Sequence, residues 1–256
     1  MAFLEARNVS IRFGGLTAVD QLSFKMEKGQ VVSIIGPNGA GKTTVFNLLT
    51  GIYPLNEGEI YLNNKRIDGL SPQDIVSAGM ARTFQNIRLF PDMRVIENVL
   101  VGTHIRTDYG LFDELFRTRR FREIEGERIR YAARLLDEVG LKKRSDDYAD
   151  NLPYGEQRKL EISRAIATGA ELLLLDEPAA GMNPQESEEL RQFILHLKEQ
   201  GFTILLIEHD MNVVMNISDY IYVLDYGKKI AEGLPHEIQE NKQVAAAYLG
   251  ESEVEA

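Results

Sequence analysis

The octapeptide Gly36-Pro37-Asn38-Gly39-Ala40-Gly41-Lys42-Thr43 constrains this chain more than any other feature. It fits the pattern G-x-x-x-x-G-K-[ST]. Glycines let the backbone wrap closely around phosphate, so that amide N–H groups point inward. The pattern needs a strand before it and a helix after it, because the helix presents its positive end to the same anion. Both are legible here. Val31–Ile35 is a continuous apolar run of the kind buried on both faces of a sheet, and Thr43–Thr50 reads as a helix stopped by Gly51. Gly36, Asn38, Gly39, Ala40, Gly41 and Thr44 are therefore expected to cradle a nucleotide. Lys42 would reach its β- and γ-phosphates, and Thr43 would place its hydroxyl on Mg²⁺.

A second apolar run, Leu172–Leu175, ends in the acidic pair Asp176-Glu177. In open α/β sheets ligands bind at the carboxyl ends of strands, so the pair can meet the glycine loop. Asp176 would hold Mg²⁺ through water. Glu177, one residue further on, would lie near the γ-phosphate and orient or deprotonate the attacking water. An ordinary strand end entering a loop also favours Asp and Glu, but the phosphate loop in the same chain weighs against that reading.

The rest of the chain supplies the frame. Alternating apolar residues from Phe3 to Glu27 predict antiparallel strands, and Glu59–Leu62 predicts another. From about Val95 to Leu160 the β pattern disappears and charge rises, which predicts a helical lobe. Within it Phe112, Leu115 and Phe116 share one helical face. With Phe121 the two phenylalanines are expected to pack the lobe's own core, contact with a membrane subunit being the second reading. Beyond it, strands at Leu172–Asp176, Thr203–Glu208 and Tyr220–Asp225 alternate with helices near Pro184–Lys198 and Met211–Ile217, which implies a largely parallel sheet. The expected fold is α/β: a P-loop NTPase (RecA-like) core with a mostly parallel sheet, an N-terminal antiparallel β subdomain and an α-helical subdomain. One domain would span 1–256, with 1–92 and 160–235 as catalytic core, 93–159 as helical subdomain and 236–256 as a C-terminal helix and tail. The last residues, Glu251–Ala256, are expected to fray.

Composition narrows the classes. A formal net charge of −10 and a pI near 5.0 argue against nucleic acid or anionic lipid as main partner, since both call for basic patches. No cysteine is present, which excludes disulfides, thiolate metal sites and a cysteine nucleophile. No run approaches the ~20 apolar residues needed to cross a bilayer. The N-terminus lacks a basic region followed by an apolar stretch, so no signal peptide is expected.

Four further features sharpen the reading. Gln85 follows Arg82-Thr83-Phe84, which reads as a strand. Leu152-Pro153-Tyr154-Gly155-Glu156 precedes a helix. Asp176-Glu177-Pro178 leads into Gly181-Met182-Asn183-Pro184. His209 follows the strand Thr203–Ile207. In this order they resemble the Q-loop, signature, Walker B/D-loop and switch-histidine motifs of ABC ATPases, from Phe13 to about Gly233. The resemblance implies that Phe13 stacks on adenine, with Val19 lining the same site. It implies that Gln85 contacts Mg²⁺ or the attacking water and links the site to the helical lobe. His209 would contact the γ-phosphate and hold Glu177 and the water in place. Gly155 would cap the ATP of a second subunit, in trans. The signature departs from the common L-S-G-G-Q: Pro153 has neither hydroxyl nor N–H, and Tyr154 is bulky where glycine allows close approach. A weaker trans contact is expected, and with it a heterodimer with an ATPase carrying a standard signature in preference to a homodimer.

Arg82–Phe90, Glu177–Pro184, Ile207–Met211 and the ending Ala247-Tyr248-Leu249-Gly250-Glu251 resemble the ATP-binding subunits of branched-chain amino-acid importers, as does the charged stretch near Thr107–Glu127. That resemblance implies an ATP-hydrolysing subunit with ATP and Mg²⁺, two membrane permease subunits and, indirectly, an extracytoplasmic solute-binding protein. The subunit would lie peripherally on the cytoplasmic face of the inner membrane. Urea or amide importers and lipopolysaccharide exporters are related alternatives, and a soluble non-transport ABC ATPase is the alternative of another class.

Overall fold

A computed structural model describes residues 2–107 and 109–252. Two long strands, β1 (Leu4–Phe13) and β2 (Leu16–Met26), form an antiparallel hairpin. β3 (Val31–Ile35) is buried along its whole length and leads through the glycine loop into α1 (Lys42–Leu49). β4 (Glu57–Leu62) and the two-residue β5 (Lys65–Arg66) complete a four-stranded antiparallel sheet of order β2-β1-β4-β5. The short α2 (Pro72–Ser77), capped by the Ser71 side chain on the Asp74 amide, leads to β6 (Met80–Arg82).

Helices then take over: α3 (Val95–Thr103), α4 (Leu111–Phe116), α5 (Arg119–Glu138) and α6 (Tyr154–Ala167). β7 (Leu172–Asp176), α7 (Pro184–Glu199), β8 (Thr203–Ile207), α8 (Met211–Ile217) and β9 (Tyr220–Asp225) follow as alternating strands and helices. β10 (Lys228–Gly233), α9 (Pro235–Gln239) and α10 (Lys242–Ser252) close the described chain. Glu251 and Ser252 thus lie within α10, and the fraying expected of 253–256 lies outside the described residues.

The second sheet has the order β10-β9-β3-β8-β7-β6. Every pair is parallel except β10 with β9. Period-two alternation puts Leu173 and Leu175 of β7 in the core beneath α3, α5, α6 and α7, while Leu172 and Leu174 face the core shared with α1 and the antiparallel sheet. All four leucines are fully buried, each worth about 1.5–3 kcal/mol against an exposed reference. A third, smaller core joins α8, α9 and α10 to β3 and β9.

Three local expectations need correction. The strand at Arg82-Thr83-Phe84 ends at Arg82, and Thr83 adds one further bond, from its amide to the Leu174 carbonyl. β10 was not anticipated, because Lys228–Gly233 carries few apolar residues and is half exposed as the edge strand. The α4 aromatics do not pack the lobe's core: Phe112 is 70% exposed, Leu115 73% and Phe116 62%, and Phe112 and Phe116 lean on each other at 4.6 Å. Phe121 instead sits edge-on to Tyr109.

Candidate functional site

Parallel pairing decides where the motifs meet. β3, β8, β7 and β6 lie side by side and point the same way, so the segments that leave their carboxyl ends emerge on one edge. Those segments are the glycine loop, His209, Asp176-Glu177 and Gln85.

The glycine loop opens a cleft of about 500 Å³. Asn38, Gly39, Ala40, Gly41, Lys42, Thr43 and Thr44 form its floor, and Glu177 reaches it from β7. Gly36 and Gly41 show why this backbone must be glycine. Both have left-handed φ angles, 150° and 99°. A Cβ at Gly36 would run into the Leu224 carbonyl, and one at Gly41 would stand 2.7 Å from the Ala18 carbonyl. Gly36 therefore shapes the loop from behind. The Lys42 ammonium, on a nearly buried side chain, donates to the loop's own carbonyls at Gly36 (2.6 Å) and Pro37 (2.9 Å). It is thus held over the loop as a cationic cap, and the amides of α1's first turn face the same space.

Phe13 lies 45% exposed on the cleft wall, braced edge-on by Tyr53 at 5.2 Å. Val19 does not line the cleft. It is fully buried, and its Cγ2 packs behind Gly41, while its neighbours Thr17 and Ala18 face the opening. A register shift between the Ile11–Val19 and Arg12–Thr17 pairs breaks the alternation of β2 here and leaves Val19 facing inward. Tyr226 and Gly227, at the β9–β10 turn, complete the rim, and the only sequence signal for them was the Tyr-Gly turn itself.

Asp176 is nearly buried and its Oδ2 is paired with Arg82 at 2.6 Å. Arg82 also donates to the Asn47 side chain at 2.6 Å, which ties β6 to α1 and β7. Glu177 has a left-handed φ of 46°, uncommon for a residue with a side chain, and its amide donates to the Ile207 carbonyl at 2.8 Å. This turn aims its carboxylate away from the strand. Gln85 donates to Glu177 Oε2 at 2.8 Å, and His209 Nδ1 stands 3.7 Å from the same oxygen. Glu177, Gln85 and His209 are thus gathered at one point. Glu208 supports them from below: fully buried, it accepts from the amides of Ala179 and His209 at 2.8 and 3.1 Å. Burial pushes its carboxyl above the usual range, and those amides pull it back.

The donor set of Thr43, Asp176 and Gln85 is all oxygen, which suits a hard cation such as Mg²⁺. Glycine amides, a captive ammonium and an aromatic wall suit a nucleotide polyphosphate. Gly155 lies in the first turn of α6, outside this cleft. An added Cβ there would meet Glu186 Cγ at an ordinary 3.7 Å, so packing within the chain does not demand glycine. Pro153 is the N-cap of α6, and the Tyr154 hydroxyl donates to the Ala180 carbonyl at 3.0 Å.

Among the described residues no helix is long and apolar enough to cross a membrane. The family model for the ABC transporter matches residues 19–180, and that for the branched-chain amino acid ATP-binding cassette transporter matches residues 228–254. The chain is 49% identical to the high-affinity branched-chain amino acid transport ATP-binding protein LivG of Salmonella typhimurium, over 97% of this chain and 98% of that protein. It is 48% identical to BraF of Pseudomonas aeruginosa, which carries the same description, with the same coverage. Among solved structures, the ADP conformation of MJ1267, an ATP-binding cassette of an ABC transporter, superposes with a TM-score of 0.86 at 34% identity, covering 98% of this chain and 99% of that one. A nucleotide-free ATP-binding cassette from an ABC transporter gives 0.84 at 33% identity, covering 97% and 99%. With the motifs gathered on one sheet edge and these likenesses running almost end to end, the chain belongs to the ABC transporter family, as an ATP-binding subunit of its branched-chain amino acid branch.

Proposed function

We propose that this chain hydrolyses ATP to drive import of branched-chain amino acids through a membrane transporter. The observation that carries the reading is the meeting of Gln85, Glu177 and His209 beside the glycine loop. Adenine would lie on Phe13, in a site that tolerates other bases because stacking is base-tolerant. The triphosphate would lie along the Gly39–Thr44 amides with Lys42 on its β- and γ-phosphates. Thr43, Asp176 and Gln85 would hold Mg²⁺, which supplies charge neutralisation of the transferred phosphoryl group. Glu177 accepts a proton from the attacking water while Gln85 and His209 orient it. Water adds at the γ-phosphorus as the bond to the β-bridging oxygen breaks, giving ADP and phosphate.

Gly155 would cap the ATP of a partner ATPase, and the freedom around it within this chain supports a role outside the chain. Pro153 and Tyr154 offer that ATP less than a standard signature does, which favours a related partner over an identical one. Closure over two ATP molecules supplies the differential affinity that drives the transporter, and loss of the γ-phosphate reopens the pair. Two permease subunits and an extracytoplasmic binding protein complete the assembly, with this subunit peripheral on the cytoplasmic face of the inner membrane. Between the Gln85 segment and α3, a groove of about 640 Å³ exposes Phe90, Val101 and Ile105 beside Arg88 and Arg164. It fits a short amphipathic helix of a permease.

The test is Glu177→Gln in the assembled, vesicle-reconstituted transporter. The variant is expected to bind Mg-ATP as the wild type does, to lose hydrolysis by about 10²–10⁴-fold, and to abolish ATP-driven leucine uptake. Wild-type hydrolysis by the variant, or a wild-type complex that moves no branched-chain amino acid, would overturn the reading.

A further inference from the structure

The segment Phe84–Arg88 leaves β6 and forms no strand or helix of its own. Yet Gln85 within it meets Glu177 at 2.8 Å, so something must fix this backbone. That support comes from α6. Arg158 donates through one guanidinium nitrogen to the Phe84 carbonyl and through the other to the Gln85 carbonyl, both at 2.7 Å. The first of these nitrogens also donates to Glu161 at 2.7 Å, and the other oxygen of Glu161 accepts from the Arg88 amide at 3.1 Å. Further along the helix, Arg164 donates to the Arg88 carbonyl. One helix thus holds the backbone of this loop at Phe84, Gln85 and Arg88.

Arg158 is fully buried and Glu161 nearly so. Stability alone is a poor reason for such a pair, since desolvation of the two ions offsets their attraction and apolar residues of similar volume pack as well. The guanidinium fork does what an apolar pair cannot: it fixes two successive carbonyls in a set geometry.

The same helix begins with the signature segment. Pro153 is its N-cap, Gly155 lies in its first turn, and Arg158 follows one turn later. The first turn is tied from the other side as well, because the Tyr154 hydroxyl reaches the Ala180 carbonyl, three residues past Glu177. α6 is therefore a rod whose tip would face a partner's ATP and whose next turn grips the loop of its own Gln85. We propose that the buried Arg158–Glu161 pair couples the two ATP sites of the dimer. When the tip of α6 engages the partner's nucleotide, the shift passes through the pair to Phe84–Arg88 and sets the Gln85–Glu177 contact. Arg158 and Glu161 are positioning residues and touch no substrate. The inference rests on the pair closing over two ATP molecules proposed above.

Two variants test it. Arg158→Lys keeps the charge and loses the fork. The double variant Arg158→Met with Glu161→Leu replaces the pair by apolar residues of similar size. In the isolated chain both are expected to bind Mg-ATP within about twofold of wild type, while hydrogen exchange at residues 86–90 quickens by about tenfold or more. In the assembled transporter, kcat is expected to fall about tenfold at unchanged KM, and the Hill coefficient for ATP to drop to about 1. Unchanged exchange at 86–90 would overturn the grip. Wild-type cooperativity in either variant, or a wild-type complex with no cooperativity, would overturn the coupling. A fall in Mg-ATP affinity matching the fall in kcat, with cooperativity kept, would reduce the pair to a structural role and overturn it too. An assembled wild-type transporter that does not hydrolyse ATP would instead overturn the proposed function.

Discussion

Arg82 shows how a site residue escapes a motif search. It precedes Gln85 by three positions and nothing in the sequence assigns it a partner, yet its guanidinium meets Asp176, Asn47 and the faces of Phe46 and Phe84. Both charges of the Arg82–Asp176 pair are nearly buried, so removing one strands the other. Arg82→Met is expected to cost about 3–5 kcal/mol, read by urea denaturation. A loss under about 1 kcal/mol would mean that water reaches Asp176 and the pair is a surface contact. Glu208 and Arg158 escaped for the same reason. Their roles depend on which backbone amides and carbonyls lie opposite, and only tertiary packing decides that. The glycine loop, Asp176 and Glu177 were legible because their chemistry needs adjacent residues at fixed spacing. Gln85 and His209 were legible only through family resemblance. Val19 was misplaced because the side of β2 it faces follows from pairing, not from residue type.

At the scale of elements, the apolar runs at Val31–Ile35, Leu172–Leu175 and Ile204–Ile207 announced themselves, since strands buried on both faces have almost no freedom of composition. The edge strands β5 and β10 did not, because their residues are mostly polar and exposed to water. The two sheets are joined by a contact that no pattern announces: the Tyr222 hydroxyl on β9 donates to the Lys25 carbonyl at 2.8 Å and accepts from the Lys25 amide at 3.2 Å. Tyr222→Phe is expected to cost about 1–2 kcal/mol of stability. Burial pushes this phenol up from 10.0 to about 12, with the Lys25 bond opposing. Its folded value is therefore raised, so the contribution is fully present below pH 10.0 and is lost as pH rises through about 12. Stability measured from pH 9 to 12 should fall more steeply for the wild type than for the variant. Parallel curves would show that the phenol is not desolvated. The α4 aromatics carry the opposite lesson. Phe112, Leu115 and Phe116 do share a helical face, but periodicity cannot say whether that face meets the core or the solvent.

For the whole molecule, the order β10-β9-β3-β8-β7-β6 brings four chemically distinct segments to one edge from positions spread between Gly36 and His209. Sequence order foretold that strands and helices alternate, and with it a parallel sheet. It did not give the strand order, because many orders share the same alternation. We propose that a triphosphate lies along the glycine loop with its terminal group facing Glu177. The most direct measurement is a crystal structure of the Glu177→Gln chain grown with Mg-ATP. The β- and γ-phosphates are expected against the Gly39–Thr43 amides and Lys42, with the γ-phosphorus within about 3–5 Å of a water held by residue 177, Gln85 and His209. Nucleotide bound away from the Gly36–Thr43 loop, or none at saturating Mg-ATP, would contradict it.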